Sequence, residues 1–242
     1  MTVDFEFFEF PLSNDDPRDI VAAAISSPAV GVINTLNAHS FNVALKDAAF
    51  SDALLASDAL VADGIGVVWA AKLKGAKGLR KIAGYDLFQA SMELADEQKL
   101  TVGFLGSTPE VLDLIIARAN TEYPHAVIKT LSPPFVDGFS DTEARELLGK
   151  IGTVDILFVG MTAPKQEKFA HQVREYVDAR AVLSIGAVFD FYAGTTKRPH
   201  PLFIRFGLEW LGRSIAEPKR LGKRSLVSIP TFVFNFLKLS MR

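Results

Sequence analysis

The chain holds 242 residues, 49% of them hydrophobic and 22% charged, with a formal net charge of -2 and no cysteine. That length fits one large α/β domain, or a domain plus an appendage, with enough chain to bury a sizeable core. The lack of cysteine excludes disulfide frameworks, thiolate zinc sites and cysteine nucleophiles, and a net charge near zero argues against a general nucleic-acid binder.

Met1 to Phe10 alternates acids with phenylalanines and lacks the basic start and apolar run of a secretory signal. No uncharged apolar stretch reaches the roughly 18 residues of a membrane span, so a cytoplasmic protein is expected. A mean hydropathy of +0.21 leaves room for a protein that rests on a membrane.

Regular elements are read from residue 30 onward. Val30 to Asn37 is a buried strand ending in polar residues, and Phe41 to Leu55 is one helix with Val43, Ala44, Leu45, Ala48 and Ala49 available to its buried side. Ala59 to Ala62 is a short strand broken by Asp63-Gly64; helices follow over Ile65 to Leu73 and Asp86 to Gln98. Leu100 to Gly106 is a strand, and Ser107-Thr108-Pro109-Glu110 has the hydroxyl, early proline and acid of a helix start running to about Ala119. Ala126 to Leu131, Asp155 to Gly160 and Ala181 to Gly186 are strands, separated by helices over Asp141 to Ile151 and Pro164 to Val177.

Strands and helices thus alternate at βα spacing, and the strands are continuous apolar runs, as in a parallel sheet covered on both faces. The fold class is α/β, a doubly wound, mostly parallel, Rossmann-like sheet. The alternation stops near Gly194, where a basic, proline-punctuated tail begins. Residues 1–195 therefore read as one α/β domain and 196–242 as a C-terminal basic helical appendage.

Open parallel sheets bind ligands at the carboxyl ends of their strands. Four polar segments follow strands here: Asn34 to His39, Asp63 to Gly66, Gly106 to Thr108, and Gly160 to Glu167. Gly103-Phe104-Leu105-Gly106 lacks the third glycine of a dinucleotide fingerprint, and no P-loop occurs, so a nucleotide-linked oxidoreductase has little support. Helix N-termini in such segments can offer N–H groups to a diphosphate.

Asp63, between a short apolar run and a glycine, is either a general base for an acceptor hydroxyl or a turn residue bonding its own backbone. Thr35 and Asn37 either bond a ligand or finish their strand. Gln166 either reaches a sugar hydroxyl or is an ordinary exposed helical glutamine. His39 reads as a capping or packing histidine.

No Asp-x-Asp triplet is present to hold a metal on a diphosphate, so arginines and helix N-termini must meet the leaving group's charge. Arg80, Lys81, Arg198, Arg205, Arg213, Arg220 and Arg224 are available, each alone equally readable as a solvated surface charge. From Lys219 to Arg242 the chain carries six basic residues, no acid, and a run that includes Phe232, Phe234 and Phe236. That combination suits either an interfacial segment on an anionic membrane or a helix packed on the core or on a second subunit, with Pro230 starting or kinking it.

In combination the segments resemble the WecG/TagA/CpsF family of bacterial glycosyltransferases (glycosyltransferase family 26). The matching residues are Thr35 to His39, Ala62 to Ala71, Arg80 to Phe88, Gly103 to Gly106, Pro164 to Lys168, Gly186 to Gly194, Arg198-Pro199, Gly207 to Arg213 and Glu217 to Leu221. Their order and spacing over residues 30 to 225 make the resemblance specific. It departs where Met161-Thr162-Ala163 replaces a Gly-Ser-type turn and where Gly212 replaces an aromatic residue.

The resemblance implies an inverting, metal-independent and cofactor-free transfer of a hexose from a UDP-sugar to a polyprenyl-diphosphate-linked saccharide. The hexose would be N-acetylmannosamine, its uronic acid or glucose, and the setting the inner face of the cell membrane. It implies Asp63 as general base, Thr35, Asn37 and Gln166 as pocket residues, Arg80 as a diphosphate contact, and Arg213, Arg220 and Arg224 as appendage residues closing over the donor. Relatives of this type can be homo-oligomers. The competing expectation is a non-catalytic, membrane-associated scaffold that binds nucleotide sugars.

Overall fold

The computed structural model describes residues 5–196 and 223–241, and the side chains of 223–226 lie outside the description. Strands β1 (Phe5–Phe7) and β2 (Phe10–Leu12) form an antiparallel hairpin, followed by helix α1 (Pro17–Ser26). Neither the hairpin nor α1 is among the elements read from the sequence. The hairpin turns through Phe8 at φ 55°, without the glycine or asparagine that usually marks such a turn. Helix α1 begins with Pro17 after an Asp16 cap, whose side chain accepts from Arg18 N at 3.1 Å.

Then come β3 (Gly31–Leu36), α2 (Ala38–Ala44), α3 (Ala48–Leu55), β4 (Ala59–Ala62), α4 (Ile65–Leu73), α5 (Gly84–Gln98), β5 (Thr101–Gly106) and α6 (Pro109–Glu122). The chain continues through β6 (Val127–Leu131), α7 (Asp141–Ile151), β7 (Ile156–Gly160), α8 (Lys165–Val173), β8 (Ala181–Ser184) and α9 (Val188–Ala193). A last helix, α10 (Lys223–Ser240), runs on through Pro230. The single helix expected over 41–55 is two. Asp47 breaks it by capping α3, its Oδ1 accepting from Phe50 N at 3.1 Å while its other oxygen pairs with Lys168 Nζ at 2.6 Å.

Strands β3 to β8 form one six-stranded sheet in the order β4-β3-β8-β7-β5-β6, with every pairing parallel. Alternate residues of each strand face opposite layers. Ile33, Val61, Phe104, Phe158 and Leu183 pack with α1, α5, α6 and α9, whereas Val32, Leu105, Leu157, Val159 and Val182 pack with α7 and α8. Because both faces are covered, β4, β7 and β8 read as nearly unbroken apolar runs, whereas the edge strand β6 is partly exposed. The hairpin, α2, α3, α4 and α10 form a third cluster on Leu36, Leu60 and Ala62. Ser13 N donates to Leu60 O at 2.8 Å, so the chain leaving β2 runs beside the edge strand β4.

At the carboxyl ends of β5 and β7 the backbones come unusually close. Gly106 (φ +134°) is paired with Gly160, and a Cβ on Gly106 would lie 2.4 Å from Gly160 O. No backbone atom can yield that far, so Gly106→Ala should cost about 3 kcal/mol or more through overlap and backbone strain together. Urea unfolding at constant m-value measures this; an unchanged midpoint would refute the close approach.

Candidate active site

The polar segments noted in the sequence follow β4, β3, β7 and β5, at the carboxyl ends of one parallel sheet in which β8 lies between β3 and β7. Asp63 follows β4, and its N–H donates to Leu36 O at the end of β3, 2.9 Å away. Its side chain is half-buried. Gly64, at φ +121°, turns the chain into α4, and a Cβ there would sit 3.9 Å from Asn37 Cβ. The turn that presents Asp63 is therefore packed against the residue that opens α2.

Asn37 caps that helix. Its Oδ1 accepts from the backbone N–H groups of His39 and Ser40, each at 3.0 Å. Thr35, one strand residue before Leu36, is buried. On the far side of Asp63, Ile82 N donates to Ala62 O at 2.9 Å and brings the segment before α5 alongside the tip of β4. Arg80, two residues earlier, is exposed and anchored to the β2–α1 connection. Its backbone N–H donates to Asn14 Oδ1 at 2.7 Å and its guanidinium to Asn14 O at 3.0 Å.

Helix α5 starts at Gly84, where a Cβ would lie 3.6 Å from Val188 Cγ2 in the first turn of α9. The starts of α2, α4, α5, α8 and α9 thus lie along one edge of the sheet, an arrangement that favours an anionic ligand by N–H groups and helix dipoles. Gln166, in the first turn of α8, is only 6% exposed, which removes the alternative of an ordinary exposed glutamine. Its Nε2 donates to Glu167 Oε1 at 2.9 Å. Among the described residues no group of three or more His, Asp or Glu side chains is placed to hold a metal ion.

Helix α10 begins beside this edge. His39 Nδ1 lies 3.0 Å from Ser228 Oγ, Asn42 Nδ2 donates to Ser228 O at 2.7 Å, and Asn235 Nδ2 donates to Asn42 Oδ1 at 3.0 Å. His39 is accordingly a packing residue, as its sequence context suggested, and it ties α2 to α10. Arg213 and Arg220 lie outside the described residues, as does the side chain of Arg224. Asp63, Thr35 and Asn37 lie at the ends of the adjacent strands β4 and β3, Gln166 opens α8 on the other side of β8, and Arg80, in the segment before α5, is held by Asn14.

Sequence reasoning gave Glu167 no role, although it is only 1% exposed. Adjacent residues of a helix do not face each other in general, so the Gln-Glu pair carries no spacing signal. The available sign was an acid in the first turn of a helix otherwise anchored by Phe169, Ala170 and Val173.

Several curated proteins are similar over most of the chain. Three carry the name N-acetylglucosaminyldiphosphoundecaprenol N-acetyl-beta-D-mannosaminyltransferase. The one from Bacillus spizizenii is 35% identical over 197 residues, covering 81% of this chain and 74% of its own. That from Bacillus subtilis is 31% identical over 210 residues, with 86% and 79% covered. That from Staphylococcus aureus is 28% identical over 208 residues, with 85% and 79% covered.

A doubly wound sheet with a half-buried carboxylate and several helix starts along its carboxyl edge, together with these relatives, defines a glycosyltransferase. The chain matches the family model described as the glycosyl transferase WecG/TagA/CpsF family over residues 5–242, and it belongs to that family.

Proposed function

We propose that the protein transfers N-acetylmannosamine from its UDP-activated form to N-acetylglucosamine carried on a polyprenyl diphosphate, in the assembly of a cell-surface polysaccharide. The observation that carries the reading is the shared activity in the names of relatives that match four-fifths of this chain. Asp63 acts as the base. Its carboxylate takes the proton of an acceptor hydroxyl while that oxygen attacks the anomeric carbon from the face opposite UDP. The bond from that carbon to the diphosphate oxygen breaks, UDP leaves with the electron pair, and the configuration inverts.

Metal-free charge stabilisation is the counterpart of a sequence without an Asp-x-Asp triplet. Helix N-termini along the sheet edge, Arg80, and the appendage residues Arg213, Arg220 and Arg224 meet the charge growing on the departing diphosphate, in a role worth about 3 kcal/mol per well-placed donor in comparable sites. Thr35, Asn37 and Gln166 line the pocket. Residues 196–242 form the appendage that completes it, in keeping with the start of α10 beside His39.

No helix among the described residues is long and apolar enough to cross a membrane. Helix α10 is nevertheless apolar on both sides. Phe232 and Phe236 are buried against the hairpin and α2, while Val227, Val233, Phe234, Leu237 and Met241 are exposed. An exposed apolar face of this kind beside a packed one marks an interaction surface. An anionic membrane surface at its inner leaflet fits both that outer face and the acid-free, basic sequence around it.

The direct test supplies UDP-N-acetylmannosamine and a short polyprenyl-diphosphate N-acetylglucosamine in chelator-treated buffer. Release of UDP with formation of a lipid-linked disaccharide is expected. No product from this donor, or from any of a panel of UDP-hexoses, would overturn the reading.

A further inference from the structure

Two neighbouring polar side chains at the start of α8 are folded into the protein. Gln166 and Glu167 are 6% and 1% exposed, and Gln166 Nε2 donates to Glu167 Oε1 at 2.9 Å. The backbone oxygen of Gln166 lies 3.4 Å from Ser184 Oγ on β8, which places this turn against the strand end. The other end of the amide, Gln166 Oε1, is buried with no donor in the described protein. It occupies space left by Gly186, just past β8, where a Cβ would lie 2.9 Å from it. A native protein seldom leaves a buried acceptor unmatched without a reason, and a ligand that supplies the donor is one such reason.

Because the Gln166 NH2 group donates to Glu167 Oε1, the amide oxygen points the opposite way. We infer that Glu167 is a positioning residue: it fixes the Gln166 amide with Oε1 presented as an acceptor for an O–H or N–H of the bound sugar nucleotide. This rests on the glycosyltransferase reading of the same site and adds to it a residue that touches no substrate. A glutamine at position 167 could meet Gln166 with either end of its own amide and would no longer impose the orientation.

The test is a double-mutant cycle on the full chain, with binding of UDP-N-acetylmannosamine and of UDP alone measured by calorimetry. Glu167→Gln should weaken sugar-nucleotide binding by about tenfold, the effect of one lost hydrogen bond. It should raise KM in the same proportion while kcat stays within about threefold, as for uniform binding. Gln166→Ala should show a similar loss, and the double variant should bind no more weakly than Gln166→Ala alone. If Glu167→Gln lowers the Tm by more than a few degrees, Glu167→Asp, which keeps the charge and withdraws it, carries the same comparison.

Loss confined to the sugar nucleotide assigns the donating group to the sugar. Equal loss for UDP assigns it to the nucleotide. Additive losses in the double variant, or unchanged binding in either single one, overturn the inference. A parent protein that binds neither ligand would instead sink the glycosyltransferase site itself, so the two failures are distinguishable.

Discussion

Asp63→Asn should leave the protein folded, with an unchanged Tm, and reduce transfer by about 10²- to 10⁴-fold in kcat, the usual contribution of a general base. That range corresponds to about 3–5 kcal/mol of lost transition-state stabilisation. The substitution keeps shape and turn chemistry: the backbone N–H of residue 63 still donates to Leu36 O, and Gly64 still supplies the φ of +121° that opens α4. What it removes is the ability to take a proton. Asparagine is as good a turn residue as aspartate, so a purely structural Asp63 predicts a near-normal rate. Steady-state kinetics with UDP-N-acetylmannosamine decides between them, and UDP binding by calorimetry confirms that the pocket persists. Turnover within a few-fold of the parent would end the assignment of Asp63 as base.

Much of this arrangement was legible before any coordinates because its signals are local. A strand buried on both faces is mostly apolar, so the runs within Asp155 to Gly160 and Ala181 to Gly186 could be placed directly. Polar residues interrupting such runs, as at Asn37 and Asp63, then mark strand tips. What escaped depends on contacts between distant segments. Phe5 to Leu12 is a hairpin because its phenylalanines pack on Phe41, Phe232 and Phe236, with Phe7 lying 5.2 Å from Phe41 between ring centroids. No turn residue announces it. The split between α2 and α3 was hidden because the apolar spacing continues across it, although Asp47 caps α3 through Phe50 N and is held further by Lys168 from α8. In the site itself Asp63, Thr35, Asn37 and Gln166 were named from sequence, but the burial of Gln166 and the part played by Glu167 come from β8 closing over α8. A helical acid looks solvated until its neighbours are known.

The outer apolar face extends beyond α10, and this governs the second large effect. Gly66, Trp69 and Leu73 share one face of α4 by their three- and four-residue spacing. A Cβ on Gly66 would lie 3.8 Å from Phe232, so the start of this face borders α10. They are 60% and 78% exposed, and Phe234 on α10 is 65% exposed. Lys72 and Lys238 are exposed on the same two helices, and Lys74 is exposed at the end of α4. If this face lies in the headgroup region of an anionic bilayer, each large side chain contributes about 1–2 kcal/mol and each nearby lysine about 1 kcal/mol. Replacing Trp69, Leu73, Phe234 and Leu237 together by serine should therefore lower partitioning onto phosphatidylglycerol-containing vesicles by about 10²-fold or more. Transfer to a water-soluble, short-chain acceptor should change far less. Raising the salt concentration should weaken binding of the parent as well, since the lysine contribution is screened. Deleting the end of the chain is a poorer experiment, because Phe232 and Phe236 would leave the core with it. Vesicle flotation reads the outcome, and sedimentation of both proteins separates it from its rival: if flotation is unchanged while a dimer of the parent dissociates in the quadruple variant, the face belongs to a second copy of this chain and the membrane role of α4 and α10 falls.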